Sequence, residues 1–431
     1  MTVPLSSLEG KARMRAIVRH FVGACALGAL VSAGLAASPR PDAPKSTPIG
    51  WRGDGSGHYA KAQTPTEWDV DDGKNILWHA TVGKSHSSPA VVGDRVVLTA
   101  ESSWLVCVDR KSGKVLWKQD HSYARLLPAE KRPKKPPPAG PGGGYAIPTP
   151  VTDGKSVYVS YGTGMVVCCD LAGKRRWARF IDLPQVTQFG RSASPLLVDG
   201  KLLVSIGGLI ALDPKTGKTL WKQLGAKCGY GTPAVARIGD VTLAVTPNGD
   251  LVRVSDGRLM ASKLAQTGFT SPVVHAGVVY FADDPTVAVR LTAKPGGKIQ
   301  TRKLWEAETE GEFHASPLWH DGKVYCISSG AVLYVLDAKT GEITFQKKLE
   351  IASADPAPGM ESANIYPSIA RIGKHLLVSN DQGCTLVLAP GEKCKQVSVN
   401  YLDGGSGACP VPDGKLLFLR AGKKLYCIGR K

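Results

Sequence analysis

Eight prolines, Pro89, Pro150, Pro195, Pro233, Pro272, Pro317, Pro367 and Pro410, each stand just before an apolar run, and this recurrence constrains the fold more than any other feature. Six of them follow Ser or Thr, in SSPAVV, PTPV, ASPLLV, GTPAV, TSPVV and ASPLW. Their spacing of 38 to 61 residues falls around the length of one four-stranded propeller blade. A Gly-containing turn follows each, with Asp-Gly at Asp153, Asp199, Asp321 and Asp413, and then a second strand such as RVVLTA or KVYCISS. A third strand comes next, as in WLVCVD, MVVCCD or VLYVLD, and a fourth ends on Trp117, Trp177, Trp221, Trp305 or Phe345. Period-two alternation marks most of these runs as strands. The fourth strands in RLMASKL and QVSVNYL lack the aromatic.

The last repeat stops before its fourth strand, and the missing run, NILWHATV with Trp78, lies ahead of the first proline. A strand borrowed from the N-terminal side hydrogen-bonds the ring shut and hides two edges that invite aggregation. The sequence therefore predicts an all-β, eight-bladed β-propeller of four-stranded antiparallel blades over residues 75–431, closed by that strand.

The run ALDPKTGKTLW, Ala211 to Trp221, resembles the tryptophan-docking motif of the PQQ-like propeller family, and CVDRKSGKVLW and VLDAKTGEITF are close to it. In CDLAGKRRW the motif is one residue short, and around Val254, Arg290 and Ala389 most of it is lost. The resemblance implies that Trp78, Trp117, Trp177, Trp221, Trp305 and Phe345 pack against the adjacent blade. It bears on architecture far more than on activity.

Residues 1–38 read as a signal peptide or a retained N-terminal anchor. Lys11, Arg13, Arg15 and Arg19 precede an apolar run from Phe21 to Ala37 that ends in GLAAS. Val22-Gly23-Ala24-Cys25 also looks like a lipid-attachment signal, although the apolar stretch follows Cys25. Residues 39–74 form a Pro- and Gly-rich lead-in whose WRGDGSGHY resembles one in secreted propellers of planctomycete-type bacteria. Residues 126–144 form a basic, mobile Pro/Gly-rich insertion carrying Lys131, Arg132, Lys134 and Lys135. Most of the +18 formal charge survives removal of residues 1–38. In an exported protein this favours anionic envelope polymer over nucleic acid. Nine cysteines outside the signal segment cannot all pair, and Cys107, Cys168, Cys326 and Cys427 sit in strand runs as small buried hydrophobes.

The PQQ-like family includes quinoprotein dehydrogenases, whose chemistry needs oxygen ligands for calcium, a carboxylate base and an arginine near the quinone. That set is not discernible here. Cys168-Cys169 sits inside a regular strand, whereas a vicinal disulfide needs a bent backbone. No HExxH, CxxC or GxSxG occurs. Asp69, Asp71, Asp72 and Gly73 imitate a calcium loop, but the glycine comes early and the distal Glu is absent.

Antiparallel order brings the residues ahead of each proline to one mouth of the channel. Three positions before the prolines stand His86, Tyr230, Phe269, His314 and Asn364, with Arg191, Glu310, Glu312, Glu361 and Tyr366 near. His86, Arg191, Tyr230, Phe269, His314 and Tyr366 are the expected binding set, with channel plugging as the competing role. Three readings follow. The first is a monomeric, non-catalytic envelope scaffold without cofactor, resembling the outer-membrane assembly factor BamB and binding envelope proteins. The second is a periplasmic PQQ- and calcium-dependent alcohol or sugar dehydrogenase. The third is a surface module that holds acidic glycan through its positive charge. Under each, the N-terminal segment offers membrane association.

Overall fold

A computed structural model describes residues 49–139, 144–185, 187–351, 364–391 and 393–431. The signal segment, Cys25 and Glu361 lie outside the described residues. Among those described, the strands form eight sheets, one per predicted repeat. Blade 1, for example, contains Ala90–Val92, Arg95–Ala100, Trp104–Asp109 and Val115–Asp120 in antiparallel order. Blade 8 takes Val411–Asp413, Leu416–Ala421 and Lys424–Ile428 from the C-terminal end, and Ile76–Thr81 pairs antiparallel with the last of these. The closing strand is therefore the one the repeat pattern called for.

The second and third strands of each blade are almost wholly buried, while the fourth alternates exposed and half-buried residues. Apolar faces of neighbouring blades meet in seam clusters, and the docking aromatics finish these seams at the outer edge. The indole N–H of Trp78 donates to Arg110 O (3.2 Å), that of Trp117 to Leu171 O (3.1 Å) and that of Trp177 to Pro214 O (2.8 Å). Trp221 and Trp305 donate to Val254 O and Ala338 O, both at 3.1 Å. Each indole lies over a turn glycine of the next blade. At Gly257, φ is +76° and an added Cβ would sit 2.6 Å from the Trp221 ring. The turn around Val254 thus keeps the glycine and the acceptor carbonyl, although most of its sequence motif is gone.

Where the indole is missing, other side chains fill the seam. Between blades 4 and 5, the long hairpin Thr286–Lys294 and Lys298–Ala307 brings Leu291 and Ile299 onto Ile238 and Met260. Between blades 6 and 7, Phe345 packs on a cluster holding Leu388 and Cys394. Between blades 7 and 8, the buried Trp68 of the lead-in joins Val387, Leu417 and Tyr426, its backbone N–H donating to Asn400 Oδ1 (2.8 Å).

The lead-in is accordingly part of the propeller. His58–Tyr59 pairs in parallel with Ala370–Ile372, the innermost strand of blade 7, and Ile49 bridges to Thr152 on the innermost strand of blade 2. Residues 49–59 therefore cross the inside of the ring. The basic insertion, expected to be mobile, follows a helical turn, Tyr123–Leu126, and carries a 3-10 turn, Ala129–Lys131. Its end is pinned by Glu101, whose carboxylate accepts the N–H groups of Tyr145 (3.0 Å) and Ala146 (2.6 Å). Cys168 and Cys169 are consecutive in the strand Met165–Asp170, their side chains buried in two different seams, and neither is paired.

Deletion of residues 75–82 should leave blade 8 with an open edge and remove Trp78 from its seat on blade 1. Aggregation, or loss of a single cooperative melt in calorimetry, is expected. A truncated chain that melts like the intact one would sink the assignment. Trp221→Ala should cost about 2–4 kcal/mol in chemical denaturation, because the half-buried indole loses both its packing and its hydrogen bond. A cost below about 0.5 kcal/mol means that the docking contact contributes nothing to the seam.

Candidate functional site

The blade connections are tied to one another by a closed belt of hydrogen bonds. The backbone N–H of Ser88 donates to Thr149 Oγ1 (3.0 Å), Thr149 to Ser194 Oγ (3.0 Å), Ser194 to Thr232 Oγ1 (2.9 Å) and Thr232 to Ser271 Oγ (2.7 Å). Ser271 donates to Ser316 Oγ (2.9 Å), Ser316 to Ser368 Oγ (3.0 Å), Ser368 to Cys409 Sγ (3.4 Å), and Cys409 back to Ser88 Oγ (2.9 Å). In seven repeats the next residue is proline, which brings no N–H of its own to be satisfied and holds the belt residue extended. In the seventh the belt residue is Ser368 and Pro367 comes before it.

That shift changes the reading of the site. Two residues ahead of the belt stand His86, Ile147, Ser192, Tyr230, Phe269, His314, Tyr366 and Gly407, and all eight line a single cavity of about 640 Å³ at the mouth. Tyr366, not Asn364, is the seventh member. The Asn364 N–H instead donates to Asp381 Oδ1 (2.9 Å). Arg191 is also corrected. It is buried, donating from Nη1 to Gly162 O (2.9 Å) and from Nη2 to Leu183 O (2.6 Å), and it walls a separate small cleft beside Cys228. It ties connections together because backbone carbonyls claim its guanidinium. Glu312 reaches the cavity and Glu310 is not among its lining residues.

Half of the rim is aromatic. Phe189 leads to Tyr230 (ring centroids 5.9 Å apart), Tyr230 stacks on Phe269 (4.7 Å), Phe269 meets His314 edge-on (4.6 Å), and His314 stacks on Tyr366 (4.7 Å). The terminal rings Phe189 and Tyr366 are 39% and 42% exposed, so the arc opens to solvent at both ends. Such offset and edge contacts favour a fixed arrangement beyond simple burial. Across the mouth, His86 Nδ1 accepts the N–H of Gly407 (2.7 Å) and joins blade 8 to blade 1. Phe189 and Trp51 of the lead-in also line the cavity. No repeat position signals either residue.

Burial pushes the His314 imidazole below the ordinary histidine pKa, and the Glu312 carboxylate, 3.4 Å from Nε2, opposes that shift without overcoming it. A neutral ring suits stacking between Phe269 and Tyr366. On the opposite side, Arg420 is buried and donates to Thr99 O (2.8 Å), Ser87 O (3.3 Å) and Gly83 O (2.5 Å). Desolvation takes its pKa down to about 9, partly offset by Glu101. A single Arg inside the apolar run LLFLRA was the sequence signal for this strut.

Of the two cavity carboxylates, Glu312 faces His314 and Asp381 caps Asn364. Among the described residues, no three His, Cys, Asp or Glu side chains converge as metal ligands. Cys168 and Cys169 are buried in the seams and are not among the cavity's lining residues.

Fold and mouth together define a closed eight-bladed propeller with an aromatic rim. A family model described as outer membrane protein assembly factor BamB matches residues 59–208 and 206–405. The chain belongs to that family of PQQ-like propellers. BamB of Moranella endobia (strain PCIT) is 23% identical over 312 residues, 66% of this chain and 73% of that one. A polyvinylalcohol dehydrogenase of a Pseudomonas species is 30% identical over 203 residues, 41% of this chain and 29% of that enzyme. The crystal structure of BamB from Moraxella catarrhalis superposes with a TM-score of 0.58 at 15% identity, covering 83% of this chain and 97% of that one. The quinohemoprotein alcohol dehydrogenase of Comamonas testosteroni gives 0.57 at 11% identity, covering 86% and 78%. Both structural likenesses show the fold alone.

An NMR titration should place the His314 midpoint below 6.5, its ordinary value, because burial outweighs Glu312. In the window below 6.5 the unfolded chain takes up this proton first, so the residue's share of stability falls as pH falls. A midpoint at or above 6.5 means that the carboxylate dominates.

Proposed function

We propose that this protein is a non-catalytic binding scaffold of the cell envelope that engages a protein partner through the aromatic rim. The observation that carries the reading is the arc from Phe189 to Tyr366, continuous across five blade connections and exposed at both ends. Aromatic side chains supply large contact areas at small entropic cost, and their clustering at a concave mouth is a usual mark of a binding surface. Membership of the BamB family supports an assembly role over turnover. The basic N-terminal segment ahead of an apolar run supports export to the periplasm or outer envelope. Among the described residues no helix is long and apolar enough to cross a membrane.

The quinoprotein reading is the competing one, because dehydrogenases stand among the relatives. One paired experiment separates the two. Pull-down from solubilised envelope is expected to recover β-barrel assembly factors, and Phe269→Ala with Tyr366→Ala should weaken that capture more than about tenfold, near 1.4 kcal/mol, with little loss of melting temperature. Incubation with PQQ and calcium should give no quinone absorbance band. A band accompanied by dye-linked alcohol oxidation would overturn the scaffold reading. A large fall in melting temperature with unchanged capture would return the arc to the core as a channel plug.

A further inference from the structure

We propose that the mouth cavity receives an arginine side chain of the protein partner, with its guanidinium between the Tyr366 ring and the carboxylates of Glu312 and Asp381. This rests on the reading of the rim as a protein-binding surface and names what that surface holds. Lys and Arg outnumber Asp and Glu by 54 to 36 along the chain. No Lys or Arg stands among the residues that line the cavity, whereas Glu312 and Asp381 do. The mouth is thus acidic in a basic protein.

The wall brings no positive charge of its own to cancel these two. His314 is held neutral because burial outweighs Glu312, which lies 3.4 Å from its Nε2. His86 accepts the Gly407 N–H at Nδ1 (2.7 Å), which only a neutral imidazole can do. Arg52, whose guanidinium carbon lies 5.3 Å from the centroid of the Trp51 ring, is buried and donates to Ile369 O (2.8 Å) instead of to either carboxylate. Among the described residues, neither Glu312 nor Asp381 pairs with a Lys or Arg.

Both carboxylates are gathered at one end of the aromatic arc. Glu312 faces His314, and His314 stacks on Tyr366 with ring centroids 4.7 Å apart. Asp381 is tied to Asn364 both ways: its N–H donates to Asn364 O (3.0 Å), and its Oδ1 accepts the Asn364 N–H (2.9 Å). Asn364 stands two residues ahead of Tyr366, so the second carboxylate is held beside the same connection. Tyr366 is 42% exposed although one face lies on His314, which leaves ring surface open at the cavity. An anion would meet two like charges there, and an apolar group would desolvate both carboxylates without giving them a partner. A cation meets the carboxylates and the ring quadrupole together. Guanidinium suits the place better than ammonium, because it is planar, stacks on rings, offers carboxylates a fixed fork of N–H groups and is weakly hydrated. A volume of about 640 Å³ admits a protruding turn that carries such a side chain.

The test titrates the full-length protein with the blocked tripeptide acetyl-Gly-Arg-Gly-amide and, in parallel, with its citrulline counterpart, which keeps the shape and loses the charge. Saturation-transfer NMR reads the affinities. The arginine peptide is expected to bind about tenfold or more tightly than the citrulline peptide. Glu312→Gln with Asp381→Asn should bring the two within about threefold at little change in melting temperature, because the amides keep an acceptor oxygen but not the charge. Tyr366→Leu, which keeps apolar bulk and removes the ring, should also weaken the arginine peptide. In the second arm, capture of β-barrel assembly factors from solubilised envelope should fall about tenfold in the double amide variant. Capture at the wild-type level by that variant overturns the inference and leaves the scaffold reading standing. Arginine preference in the peptides with no capture by the wild-type protein sinks the scaffold reading, and with it the assignment to a partner's side chain, in favour of a free organic cation. Equal binding of the two peptides, no saturable binding of either in the millimolar range, or a preference that survives the double substitution would each overturn the inference as well.

Discussion

The belt of eight side-chain hydrogen bonds is the constraint on which the rest of the molecule depends. Each blade connection buries a backbone N–H near the channel, and a buried donor left without a partner costs more than a typical hydrogen bond contributes. Local structure cannot satisfy these donors, because each connection is passing from one sheet to the next. The hydroxyl or thiol of the following blade accepts the bond, so every connection is fixed relative to its neighbour. Eight such links can all be made only in a closed ring. The belt also builds the rim, because the residue two places ahead of each member is carried to the same cavity.

Closure at the outer edge follows a looser rule. Five seams end in an indole seated on a turn glycine, and three do not, yet none is left open. A phenylalanine, a lengthened hairpin and Trp68 of the lead-in finish those three. The physical requirement is that apolar area at a seam be covered, and several shapes can meet it. Trp68 and Trp78 lie ten residues apart and serve consecutive seams, while His58–Tyr59 holds the same stretch to blade 7 inside the ring. Packing of the lead-in and closure of the ring are therefore one event, in which a segment that looks like a linker supplies part of the propeller's core.

The blade count, the strand order and the closing strand could be read from the sequence because repetition makes errors at one position visible at seven others. The seventh repeat shows the limit of that method. Proline marks the anchor in the sequence, but the repeated physical role belongs to the belt residue, and where Pro367 precedes Ser368 the two diverge by enough to exchange Asn364 for Tyr366. Arg191 fails for another reason. A guanidinium near a mouth can face the ligand or brace the loops, and only the positions of Gly162 and Leu183 carbonyls decide between them. Trp51 and Phe189 belong to no repeat position. The lead-in entered the channel through backbone pairing that its Gly-rich sequence gave no periodic sign of.

Fold alone does not separate a scaffold from a dehydrogenase, since the propeller serves both. At the mouth, Glu312 faces a histidine and Asp381 accepts a backbone N–H. The aromatic rings are engaged with one another. Rings stacked at 4.6–4.7 Å hold their rotamers before any partner arrives, so little side-chain entropy remains to be lost on association. The strongly basic chain draws anionic surfaces from a distance, while the two carboxylates put negative charge at the mouth itself. A partner that is acidic overall but offers an apolar or basic contact point would meet both fields favourably, and this contrast of sign gives orientation where the aromatic surface by itself would give only adhesion.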